Sequence, residues 1–146
     1  MSSLDVARRS ANEMFAKDRA SRDLGIAVEI SEAGSASARM VVTERMINGL
    51  DVCHGGYIFT LADTAFAFAC NGYGQVTFAA GASIQFVRSA RLGDVLLAEA
   101  REQYRGRSSG TYDVRVTNQE GRIVALFRGQ SRATGAPVVP GELANL

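Results

Sequence analysis

The chain has 146 residues, a formal net charge of +1 and an apolar share of 47%. That length fits one domain over residues 1–146, the apolar share excludes a disordered chain, and the near-neutral charge excludes a basic nucleic-acid binder. The two cysteines, Cys53 and Cys70, are too few for a disulfide scaffold; with one histidine and no CxxC, no metal site is expected either.

The opening MSSLDVARRSANEMFAKD has no long apolar run and does not read as a signal peptide. From Leu4 to about Lys17, residues Leu4, Ala7, Ala11, Met14 and Phe15 fall on one side of an amphipathic helix, with Ser3 as its cap. LGIAVEISEA and ASARMVVTE, separated by Gly34-Ser35, predict a β-hairpin. Asn48-Gly49 marks a turn, and a loop through Asp51 leads to a long apolar helix from Gly56 to Asn71, stopped by Asn71-Gly72 and Gly74. Four strands follow, at residues 77–87, 95–104, 110–118 and 122–134, and GAPVVPGELANL is an irregular tail. Consecutive strands joined by short turns imply an α+β fold, an antiparallel sheet of about six strands curled around one long central helix. Thr60, Asp63, Thr64 and Asn71 argue against a membrane span in that helix. A soluble, cytoplasmic protein is expected, and apolar surface left over by the sheet suggests a dimer.

The central helix carries one acid, Asp63, and no other charged residue occurs between Gly55 and Val87. Its helical neighbours are Phe59, Thr60, Phe66 and Ala67, so its face is not otherwise polar. A mid-helix Asp usually faces solvent, but one that contradicts both burial and helix propensity marks a functional position. A desolvated carboxylate has a raised pKa and serves as base or nucleophile. His54-Gly55-Gly56 precedes it. Two glycines permit a turn, and the unpaired N–H groups of a helix start also suit a developing oxyanion. Asn48 is either a turn residue or a further amide donor. His54 and Asp63 lie nine residues apart, about 13 Å along one helix. Two antiparallel helices bring such groups together, which favours a two-fold dimer with shared sites. Arg88, Arg91, Arg105 and Arg107 fall in turns and at strand ends, where they are either solvated or arranged on one rim to hold phosphates.

Asn48, then His54-Gly55-Gly56, then FTLADTAFA and Ala69-Cys70-Asn71 resemble the hotdog-fold acyl-CoA thioesterases of the PaaI type, and FVRSARLGD, RGRSSGTYDVRVTNQ and VALFRGQS continue the likeness. It spans residues 24–134 and departs at Ser89, where this type often has proline. The resemblance implies hydrolysis of an aryl-acetyl-CoA thioester without a cofactor, in a homodimer that pairs again into a dimer of dimers. It implies that Asp63 attacks the thioester or activates water, that the Gly55 amide polarises the carbonyl, and that Asn48 and His54 line the same site from the partner subunit. Gly56, Thr64, Arg88, Arg91, Arg107, Ser108 and Ser109 are then substrate-binding positions. The rivals are a hotdog dehydratase, which leans on His54 as base, and a non-catalytic acyl-CoA-binding module. Asp63 beside the HGG sequence favours hydrolysis.

Overall fold

The computed structural model describes residues 1–142. Helix α1 spans Ser3–Lys17 and a short α2 spans Arg19–Asp23; strands β1 (Ala27–Glu32) and β2 (Ser35–Val41) form the expected hairpin. Helix α3 (Gly55–Cys70) precedes β3 (Gln75–Phe86), β4 (Val95–Arg105), β5 (Ser109–Thr117) and β6 (Ile123–Pro137). The six strands make one antiparallel sheet in the order β1-β2-β4-β5-β6-β3. Helix α3 packs against all six.

The alternation in the strands explains this packing. Ala36, Ala38 and Met40 of β2, Leu96, Ala98 and Ala100 of β4, and Tyr112, Val114 and Val116 of β5 all point inward and are buried. Small alanines in β2 and β4 let the helix approach closely. Against β6 the approach is tighter: a Cβ at Gly129 would lie 2.8 Å from the Phe66 ring. From α3 the core receives Ile58, Leu61, Ala62, Ala65, Phe66, Phe68 and Ala69. Each fully buried Leu or Phe side chain contributes about 1.5–3 kcal/mol over its exposed state. The buried Asn71 ends the helix: its side-chain amide donates to the Ala67 and Thr77 carbonyls and its Oδ1 accepts the Thr77 N–H, each at 2.9 Å. That stitch sets where β3 begins.

Three expectations need correction. The cap of α1 is Ser2, not Ser3: Ser2 Oγ accepts the Asp5 N–H and Asp5 reaches back to the Ser2 N–H, a reciprocal capping box. The sequence reading passed over α2, because five residues hold no apolar period; Asp18 caps it by accepting the Ser21 N–H. The tail is not irregular from Gly135, since β6 continues to Pro137; residues 143–146 lie outside the described residues.

Helix α1 buries Ala7 and Ser10 and sets Phe15 against Phe68, ring centroids 6.3 Å apart. Ser10 Oγ is the one buried side-chain polar atom without a hydrogen-bond partner among the described residues. An unsatisfied buried hydroxyl costs about 1–3 kcal/mol, so Ser10→Ala is expected to stabilise the protein by up to that amount. Thermal melts test it; a lower melting temperature in the alanine variant would show that the hydroxyl has a partner in solution.

Candidate active site

The sheet does not wrap α3 completely. Gly56, Phe59, Thr60, Asp63 and Ala67 stay half-buried or exposed and form one open stripe at helical spacing. The threonines of this part of the helix are satisfied locally. Thr60 Oγ1 donates to the Gly56 carbonyl at 2.9 Å, and buried Thr64, off the stripe, donates to the Thr60 carbonyl at 2.7 Å. Asp63 differs: no described residue hydrogen-bonds or pairs with its carboxyl. Burial pushes that carboxyl above its ordinary pKa, because the charged form loses hydration without an opposite charge to replace it.

The loop before α3 is pinned where it meets the helix. The His54 N–H donates to the Met46 carbonyl at 2.7 Å and the Cys53 N–H to the Ala90 carbonyl at 2.8 Å. His54 then caps the helix, its Nδ1 accepting the Gly56 N–H at 2.9 Å. In the neutral imidazole Nδ1 is thus the acceptor, and Nε2 carries the proton toward solvent. Capping consumes the Gly56 amide, so of the two glycines only Gly55 has an N–H with no acceptor among the described residues. A side chain at Gly55 would make the half-exposed Phe86 ring shift, since its Cβ would stand 2.9 Å from Cζ of Phe86. Asn48 does serve the turn, Oδ1 accepting the Leu50 and Val52 N–H groups at 2.9 and 3.3 Å. Its two amide donors remain available.

Thr64 is turned away from the stripe and contacts Ser21 Oγ of α2 at 3.2 Å. Its hydroxyl is thus engaged between α3 and α2. The arginines do not share one rim. Arg88 and Arg91 lie at the start of β4, near the α3 N-terminus, in a cleft with Asp94, Asn118, Glu120 and Arg122. Arg105 and Arg107 lie at the other end of β4, about 30 Å away by the length of that strand. There they line a recess with Ser108, Ser109, Tyr73, Gln75 and Ser131. Arg88 Nη1 donates to the Ile123 carbonyl at 3.1 Å. Arg105 stacks on the Tyr73 ring at 3.6 Å, and the Tyr73 and Tyr112 hydroxyls both donate to Glu102. Acids dilute the first cleft, whereas the second places Arg107 and two serine hydroxyls on its rim.

Phe86 joins the site through the fold alone. It is 31 residues from Gly55, and only the β3–β6 register carries its ring to the helix start. An uncharged SIQF run is no signal for that.

Residues 50–125 match the family model described as the thioesterase superfamily. The chain is 41% identical to the acyl-coenzyme A thioesterase PaaI of Escherichia coli K12 over 132 residues, covering 90% of this chain and 94% of that protein. The solved structure of the E. coli PaaI protein from the phenylacetic acid degradation operon superposes with a TM-score of 0.91 at 40% identity, covering 93% and 99% of the two chains. A Streptococcus mutans protein solved bound to acetyl-CoA superposes with a TM-score of 0.73 at 31% identity, covering 77% and 90%.

Proposed function

The chain belongs to the thioesterase superfamily with the hotdog fold, and from that premise we propose that it hydrolyses aryl-acetyl-CoA thioesters, phenylacetyl-CoA or its ring-hydroxylated forms, to free acid and CoA in phenylacetate degradation. The observation that carries this reading is Asp63, an unpaired, desolvated carboxyl on the open stripe of α3. In the proposed reaction the Gly55 N–H donates to the thioester oxygen as it becomes an oxyanion. Asp63 either takes a proton from the attacking water or attacks the carbonyl itself, and water then releases the acyl group. In both routes the carbon–sulfur bond breaks, the thiolate leaves and is protonated to CoA, and water supplies the acid oxygen. His54 Nε2–H and the Asn48 amide are further donors for the substrate.

Gly55 and Asp63 are eight residues apart on one helix, about 12 Å, too far to act on one carbonyl. We assign the complete site to two subunits, Gly55, Asn48 and His54 from one and Asp63 from its partner. Strand β3 supports this assembly. Among the described residues it pairs only with β6, leaving its other edge open over 12 residues without a charge. Phe78, Phe86 and Val87 are more than half exposed there. Such an edge invites a second strand, and a second copy of β3 continues the sheet across a two-fold axis. A further pairing gives the proposed dimer of dimers. Among the described residues no helix is long and apolar enough to cross a membrane; the proposed CoA substrate supports a cytoplasmic location for the enzyme.

A panel of acyl-CoA esters followed with a thiol reagent tests the activity; absence of thiol release from every ester would overturn it. The phosphates of CoA are assigned to Arg107, Ser108 and Ser109, with Arg88 and Arg91 secondary. Remote binding contacts act equally in ground and transition states, so Arg107→Ala should raise KM for acyl-CoA about tenfold and leave kcat nearly unchanged. Arg88→Ala should do less. A truncated thioester without the nucleotide should be indifferent to both. Equal losses on the long and truncated substrates would mean that these arginines support the fold instead.

A further inference from the structure

Two half-exposed rings border the reacting groups of α3. Phe59 lies one turn after Gly55 and one turn before Asp63 on the open stripe. It is the outer end of an aromatic chain reaching into the core: Phe59 meets Phe127 edge-on at 5.3 Å, Phe127 meets Phe66 at 5.9 Å, and Phe66 meets Tyr112 at 5.7 Å. That backing fixes the Phe59 ring. Phe86 is the last residue of β3, 54% exposed although its cross-strand partner Ala125 is fully buried. Its ring lies so close to Gly55 that a methyl group there would meet three of its carbons within 3.5 Å. A carbonyl bound at the Gly55 N–H therefore has its substituents in contact range of the Phe86 ring. Ile84, two residues before Phe86 on β3, pairs with Phe127 of β6 and packs partly buried against the core.

We propose that Phe86 and Phe59 are the specificity-determining residues for the acyl group, forming the walls against which an aryl ring packs while its carbonyl is held at Gly55. This inference rests on the thioesterase reading and deepens it. Aromatic rings prefer edge-on or offset contacts, and such a pair gains beyond the area it buries. A ring one methylene from the carbonyl meets Phe86 at once, whereas a flexible alkyl chain gains only burial and loses rotamer freedom.

The test compares phenylacetyl-CoA with hexanoyl-CoA on wild type, Phe86→Leu, Phe86→Tyr and Phe59→Leu. Phe86→Leu is expected to lower kcat/KM for phenylacetyl-CoA about five- to tenfold and to leave hexanoyl-CoA within about twofold, the range of an aromatic contact. Phe86→Tyr keeps the ring and should keep the aryl preference. Phe59→Leu reads the second wall independently should Phe86→Leu not fold. Equal losses on both esters, or none, overturn the proposal. Should wild type release no thiol from either ester, the hydrolase reading fails separately, and calorimetry with the non-hydrolysable phenylacetyl and hexanoyl thioethers of CoA decides about the rings. Loss of aryl preference in Phe86→Leu then still supports the walls, and an unchanged preference overturns them.

Discussion

Asp63→Asn is expected to lower kcat by about 10²–10⁴-fold, the contribution of a positioned acid or base, or further still if the carboxylate is the nucleophile. The same substitution should stabilise the protein at neutral pH. Burial raises the folded-state pKa of Asp63, so the folded chain holds this proton more tightly than the unfolded chain does. Stability then falls as pH rises through the raised pKa, and the ionised carboxyl is a penalty fully present above it. Asparagine removes that penalty while conserving volume. Its advantage should shrink as pH falls through the folded-state pKa and vanish below the ordinary Asp value of about 3.9. Activity runs the other way: kcat/KM should rise with pH through the same raised pKa, because the ionised form does the work. Melts and pH–rate profiles on one preparation check both. Undiminished turnover in Asp63→Asn would remove Asp63 from the chemistry.

Mixing two inactive variants should regenerate activity. Gly55→Val places a branched side chain beside the amide and against Phe86; Asp63→Asn removes the carboxyl. Neither homodimer has a complete site. A dimer holding one of each has one intact site, with Gly55 from one chain and Asp63 from the other, and one doubly damaged site. Random exchange makes half the dimers mixed, so about a quarter of wild-type activity should return. No recovery, with exchange verified by mass labelling, would place both groups within one subunit.

The fold was readable in the sequence because its signals are periodic and local. Alternation in ASARMVV, the apolar run after His54-Gly55-Gly56 and the Asn-Gly stops each act within a few residues. They predict six strands and α3 to within a few positions of their observed bounds. Strand order is not local. Turn positions suggest one rim for the arginines, but the length of β4 separates Arg91, in the loop before it, from Arg105 at its far end. Nor does the sequence show where Thr64 faces: one residue from Asp63 on the helix, it points about 100° away, toward Ser21 of α2. At Gly56 an observed bond decided the matter: His54 Nδ1 occupies its N–H, leaving Gly55 as the free donor. Phe86 required the β3–β6 register.

Strand order also sets the timetable of synthesis. β3 leaves the ribosome directly after α3, yet its one neighbour in the chain is β6, the last strand made. Residues 88–137 must still be translated before the pair can close, which takes about 3–10 s at 5–20 residues per second. During that interval α3 and the uncharged β3 behind it have β1 and β2 for cover and gain β4 and then β5, but the partner strand of β3 comes last. Contacts so distant in sequence slow folding and leave sticky intermediates. The nascent chain is therefore a natural client for chaperones that shield apolar segments until the terminal strand arrives.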